Sequence, residues 1–252
     1  MINIEEYTIA TIASHNVIDF LRQLVDSLLQ NNIKFKKMVI GNAGLLQEEV
    51  EQLREQLREK IEFIDFENQL CHDGIKTQSN DYKKIIDNRV PFLREIFTDP
   101  ETERVIQLDA DTAIISNDFS LLEKDSDITL TVREVGPHDH VLAIADKEYP
   151  NCGVIFWNNP TNCLNFLNMW SVVQERVNSH PGQYEQNYFY RATKTKVFQS
   201  LKVQKLHCRH YNCYMPDWIS EQTSILHYKG HHMKNPSFKL RSDRLNDILI
   251  KK

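Results

Sequence analysis

Apolar and polar positions in the first half of the chain alternate between two rhythms. Residues 7–13 are mostly apolar and rich in β-branched side chains, the pattern of a strand covered on both faces. Phe20, Leu21, Leu24, Val25, Leu28 and Leu29 then recur at steps of three and four, one face of a helix over 17–29. Residues 37–40 predict a second strand, closed by Gly41-Asn42-Ala43-Gly44. Residues 48–60 predict a charged helix with Val50, Leu53 and Leu57 as its inner stripe, and 61–66 a third strand. A helix over 82–97, bent or divided at Pro91, leads to a fourth strand at 104–108 that runs into Asp109. The second half is more mixed, with strands at 128–132 and 154–157, helices at 162–177 and 184–192, and a late strand at 224–228 before a polar, basic tail. The β-α alternation predicts a single α/β domain over 1–252, a mostly parallel central sheet flanked by helices on both faces. Crossovers should be right-handed, and ligands should gather beyond the carboxyl ends of the strands.

Charge and cysteine content narrow the partners. Thirty basic and 35 acidic residues give a net charge of −5 with no long basic block, so nucleic acid is not an expected partner. Two acids and no basic stretch near the N-terminus predict no secretory leader, and no apolar run approaches the ~20 residues of a membrane span. The expectation is a cytosolic protein. Five cysteines do not pair into a complete disulfide framework. Cys208 and Cys213 lie among histidines, but no Cys-x-x-Cys pair accompanies them, so a buried strand with neutral thiols is expected there rather than zinc.

Candidate chemistry sits where strands end. Val105-Ile106-Gln107-Leu108 delivers Asp109 and Asp111, two carboxylates two residues apart at a strand exit. Such a pair repels itself unless a hard cation such as Mg²⁺ or Mn²⁺ lies between; the plainer reading is a surface turn capped by Asp111. Asn151-Cys152-Gly153-Val154 brings a polar residue and a glycine to the start of an apolar strand, where missing Cβ bulk admits a ligand or where the chain merely turns. His227, His231 and His232 with Lys229 and Lys234 form a tract able to ligate a borderline metal and neutralise phosphate, or a solvated loop. Glu185-Gln186-Asn187 opens a predicted helix, where acids are favoured in any case.

Taken in order, Asp-x-Asp, Asn-x-Gly-Val, acid-Gln-Asn and His-x-x-Gly…Lys resemble glycosyltransferase family 8 and its nucleotide-diphospho-sugar transferase relatives, over about residues 7–235. The resemblance implies a GT-A fold, with 1–112 as a nucleotide-binding half and 113–252 as an acceptor-side half. It implies Mn²⁺ (or Mg²⁺) on Asp109, Asp111 and His227, and a nucleotide-diphospho-sugar donor, a UDP-sugar first among them. Ala13, Ser14, Lys84, Ala110, Asn151, Gly153, Gly230 and Lys234 would join the Asp pair around that donor. The acceptor would be a hydroxyl of a glycan or a lipid-linked glycan, the latter bringing the enzyme to a membrane surface. The chain departs from the family pattern: Cys152 replaces a small alanine, Lys84 stands for an arginine, and Lys234 comes one residue late with Lys229 as rival.

Gln186 and Glu185 are the catalytic candidates, and adjacent helical positions point about 100° apart. The resemblance places Gln186 on the reacting face with retention of configuration. An inverting enzyme would need a base, for which Glu185 is the candidate. Two other classes fit parts of the pattern. One is a haloacid-dehalogenase-like phosphatase, whose motif wants Thr four residues after the first Asp, where Ala113 stands. The other is a donor-binding scaffold that has lost transfer.

Overall fold

The computed structural model describes residues 4–66, 88–134, 148–177, 185–215 and 218–228. Its strands are β1 (Tyr7–Ala13), β2 (Lys37–Asn42), β3 (Ile61–Asp65), β4 (Arg104–Leu108), β5 (Thr112–Ile114), β6 (Ile128–Glu134), β7 (Glu148–Trp157), β8 (Val203–His207) and β9 (Ile225–His227). The helices are α1 (Ile18–Gln30), α2 (Gln47–Leu57), α3 (Arg89–Thr98), α4 (Pro160–Val177), α5 (Glu185–Ala192), α6 (Lys196–Gln199) and α7 (Cys208–Tyr211).

Seven strands form one sheet in the order β3-β2-β1-β4-β7-β6-β8, and β5 pairs with β9 in a separate ribbon. β1 to β4 run parallel; β7 is antiparallel to both β4 and β6, and β8 is parallel to β6. The chain lays β2 and β3 on one side of β1, then returns to place β4 on the other. That reversal between β1 and β4 marks the switch point beyond whose carboxyl ends an open α/β sheet receives its ligand.

Side chains of β4 and β7 alternate between two cores. Ile106, Leu108, Val154 and Phe156 face α1 and α2 together with Leu21, Leu24 and Leu53. Val105, Ile155 and Trp157 face the other layer, against Leu93 and Ile96 of α3, Phe166 and Trp170 of α4, and Phe189 of α5. Burial of each such large side chain contributes about 1.5–3 kcal/mol, so the strands that carry the site stand on a rigid base. Among the described residues, no helix is long and apolar enough to cross a membrane.

Several boundaries differ from the sequence expectation. Leu29 is exposed, because the inner stripe of α1 has rotated past it by the last turn. Pro91 is the third residue of α3, in the first turn where a missing N–H costs nothing; residues 82–87 of the expected helix lie outside the described residues. The helix from 48 ends at Leu57, where Arg58 turns to a positive φ. Residues 208–211 are a helical turn, not a strand: the His207 imidazole accepts the Arg209 N–H and caps it. Asn151, Cys152 and Gly153 lie within β7, at a register shift against Leu130 and Thr131 of β6.

Candidate metal and donor site

β4 delivers Leu108, and the chain then turns through Asp109, Ala110 and Asp111. The Thr112 hydroxyl donates to the Asp109 carbonyl at 2.8 Å and fastens the turn. β5 begins at once and pairs with β9 so that Thr112 lies opposite His227. The Tyr228 N–H donates to the Asp111 carbonyl at 2.8 Å. This short ribbon is what brings a histidine near the end of the chain to the two carboxylates. His227 Nε2 lies 3.2 Å from Asp111 Oδ1 and 3.6 Å from Asp109 Oδ2. Asp111 and His227 are buried at 4 % exposure, while the Asp109 side chain is 26 % exposed, so the group has a closed floor and an open rim. One donor atom from each of the three lies within 4.8 Å of the others.

A bulged stretch of β7 supports this group from behind. The Asp109 N–H donates to the Gly153 carbonyl at 2.8 Å, and the Gly153 N–H donates to Asn151 Oδ1 at 2.8 Å. A Cβ on Gly153 would sit 2.6 Å from His227 Cε1 and 2.7 Å from Asp109 Oδ2, so only glycine leaves room for both side chains. The Cys152 carbonyl accepts Gln107 Nε2 at 2.6 Å and Arg89 at 2.9 Å. The other arm of that guanidinium donates to Asp109 Oδ1 at 2.7 Å, leaving Oδ2 toward His227. Arg89 was not singled out in the sequence, where it is one basic residue within the helix expected over 82–97. Asn212 was also missed: it is fully buried, and its Oδ1 meets His227 Nδ1 at 2.7 Å.

The donor set suits a divalent cation. Two carboxylates and an imidazole converge in a largely buried place, where a cation between them offsets the repulsion of like charges. Two carboxylate oxygens and an imidazole nitrogen match the preferences of Mn²⁺, and the oxygens those of Mg²⁺. Among the described residues, no such group forms around Cys208 and Cys213, whose thiols are buried.

The other expected residues fall in three places. Ala13 and Ser14 are buried at the carboxyl end of β1, beside β4 in the sheet. Ala110 is buried between the two aspartates. Glu185 opens α5, and Gln186 follows with its amide turned to β7: Oε1 accepts the Cys152 N–H at 3.1 Å, and Nε2 donates to the Pro150 carbonyl. Gln186 is thus tied to the residue whose carbonyl holds Arg89. Lys84, Lys229, Gly230, Lys234 and the histidines at 231 and 232 lie outside the described residues.

Comparison with known proteins accords with this geometry. No curated protein sequence matches the chain. Among solved structures it is similar to the galactosyltransferase LgtC in complex with donor and acceptor sugar analogues, with TM-score 0.62, 13% identity and 95% of each chain covered. It is similar to the glycosyltransferase GlyE of Streptococcus pneumoniae TIGR4, with TM-score 0.59, 14% identity, and 97% of this chain and 63% of that one covered. A glycosyltransferase involved in glycosylating the major capsid of PBCV-1 aligns with TM-score 0.54 and 13% identity over 95% of this chain and 98% of that one. At these identities the likeness is one of GT-A fold. The sequence model of the nucleotide-diphospho-sugar transferases matches residues 48–235, three quarters of the chain and a span that includes Asp109, Asp111 and His227, which removes the phosphatase expectation. With that match on a GT-A sheet, the chain belongs to the nucleotide-diphospho-sugar transferase family and is a glycosyltransferase.

Proposed function

We propose that this glycosyltransferase is metal-dependent and moves a sugar from a UDP-sugar to a hydroxyl of a glycan or glycolipid, with retention of configuration. The observation that carries the reading is the meeting of Asp109 Oδ2, Asp111 Oδ1 and His227 Nε2 at the switch point of the sheet. These three would hold Mn²⁺ or Mg²⁺. When bound, such a cation supplies Lewis-acid stabilisation of the charge that grows on the leaving diphosphate.

The chain's own residues do the rest. Arg89 adds fixed positive charge at the rim, where the diphosphate lies in this reading. Gly153 leaves the room that the side chains of Asp109 and His227 occupy, and its missing Cβ would let the backbone come close to the donor. Ala13, Ser14, Ala110 and Asn151 would line the donor, with Lys84, Gly230 and Lys234 joining them by the family resemblance and Lys234 serving its diphosphate. Gln186 faces the reacting carbon and, as an amide, takes no proton, which goes with retention; Glu185 orients sugar or acceptor. The galactosyltransferase LgtC, bound to donor and acceptor sugar analogues, supports a sugar acceptor. A cytosolic site of action, reaching membranes through a lipid-linked acceptor, goes with this reading.

A thermal-shift screen of nucleoside diphosphates and nucleotide-sugars, with and without Mn²⁺, tests it. A UDP-sugar at a hundred times its Kd should stabilise the fold by about 2.7 kcal/mol in the presence of Mn²⁺. No nucleotide-sugar stabilising the protein with Mn²⁺ would contradict the reading. Binding without transfer over a wide acceptor panel would restore the scaffold alternative.

A further inference from the structure

The orientation of His227 follows from groups behind it, starting at atoms with no choice of role. The carbonyls of Val154 and Asn151 can only accept, and the Thr131 hydroxyl lies 3.1 and 3.4 Å from them, so that hydroxyl is the donor. Its lone pair therefore receives Asn212 Nδ2, at 2.8 Å. This fixes the Asn212 amide with Oδ1 turned to His227 Nδ1 at 2.7 Å, and an amide oxygen can only accept. Nδ1 must then carry hydrogen, and in the neutral ring Nε2 is left as a bare lone pair. That lone pair is aimed at Asp111 Oδ1 and Asp109 Oδ2, two more acceptors. His227, Asp111 and Asp109 thus bring three acceptor atoms toward one point, an arrangement that suits a cation.

We propose that Asn212 is a positioning residue, which selects the ring tautomer of His227 that offers Nε2 to a divalent cation, with Thr131 as the anchor that prevents its amide from flipping. The inference rests on the metal reading above and deepens it. Metal-bound histidines owe orientation and basicity to the acceptor on their other nitrogen, and loss of that acceptor typically weakens binding roughly 10- to 100-fold. Asn212, Thr131 and His227 are all buried, so solvent does not replace the lost partner. The anchor lies on β6 and its acceptors on β7, so the relay also ties the C-terminal ribbon to the bulge that carries Gly153.

The test is Mn²⁺ affinity, read by the loss of the free-ion EPR signal in the whole protein without donor, beside the unfolding temperature. Asn212→Leu keeps the volume and removes the acceptor, and should weaken Mn²⁺ binding roughly 10- to 100-fold. Asn212→Asp keeps an acceptor for Nδ1 and should stay within a few-fold of wild type even where its unfolding temperature falls as far as that of the leucine variant. Thr131→Val keeps the strand and frees the amide to flip, so it should lose affinity in the same direction. It decides the matter where Asn212→Leu does not fold. Wild-type affinity in Asn212→Leu or in Thr131→Val, or equal losses in the Asp and Leu variants, overturns the role of Asn212 alone. A wild-type protein that takes up neither Mn²⁺ nor Mg²⁺ overturns the metal reading, and this inference with it.

Discussion

Gly153→Ala adds one methyl group where the structure has no room for it. The backbone is not the obstacle, since Gly44 is the glycine with positive φ among the described residues. The obstacle is space: the new Cβ would meet His227 Cε1 at 2.6 Å and Asp109 Oδ2 at 2.7 Å, whereas ordinary contact begins at 3.4 Å. Each side chain would have to retreat by about 0.7–0.8 Å, and neither is loose. His227 is held by Asn212, and Asp109 by Arg89 and by its own N–H on the Gly153 carbonyl. Metal sites tolerate departures of only about 0.2 Å in ligand distance. The methyl should therefore cost about 1–3 kcal/mol in overpacking, and should weaken Mn²⁺ binding at least as much as a lost supporting group, roughly 10- to 100-fold. Titration calorimetry with Mn²⁺ reads the second effect and urea denaturation the first. A Gly153→Ala protein with wild-type Mn²⁺ affinity would refute the placement of Asp109 and His227 around this glycine.

Three other outcomes follow. Asp109→Asn and Asp111→Asn should each abolish Mn²⁺-dependent donor binding while the unfolding temperature stays near wild type; unchanged affinity in both would remove the carboxylates from the site. The first-formed product should keep the donor's anomeric configuration by NMR, with Glu185→Gln still transferring; an inverted product and a Glu185→Gln variant that binds donor but does not transfer would move the catalytic role to Glu185. At the amino end of the sheet, Lys37 hydrogen-bonds Asp99 at 2.7 Å and holds its carboxyl below its ordinary value. The stabilisation is present above the unfolded-state pKa and lost as pH falls through the lowered folded one. Wild type should therefore shed about 0.2–1 kcal/mol more than Asp99→Asn between pH 5 and pH 3 in urea melts, and parallel pH profiles would contradict the pairing.

What the sequence reveals depends on how local each cause is. β1 and β4 were legible at Tyr7–Ala13 and Arg104–Leu108, because strands buried on both faces show continuous apolar runs. β8 was not, since Val203-Gln204-Lys205-Leu206-His207 is an edge strand with mixed exposure. The early part of β7 was hidden by Pro150, which argues against a strand when read alone and is accommodated here beside the register shift. β5 is three residues long and owes its existence to β9. The same division runs through the site. Asp109 and Asp111 announce themselves as paired acids at a strand exit, whereas His227 stood out as one of three histidines in a tract, and only the family resemblance joined it to the two acids. Arg89 and Asn212 left no local signal, since one is a basic residue within an expected helix and the other an amide after a helical turn. Each acquires its role from strands and helices brought together by the fold.

The central claim is that sugar transfer depends on a cation held by Asp109, Asp111 and His227. The most direct measurement is UDP release from a UDP-sugar, followed in one preparation before chelation, after chelation, and after Mn²⁺ is restored, with Asp111→Asn in parallel. The account predicts release that stops on chelation, returns with Mn²⁺, and is absent from Asp111→Asn throughout. Release that continues undiminished under chelation, or that Asp111→Asn supports at the wild-type rate, would contradict it.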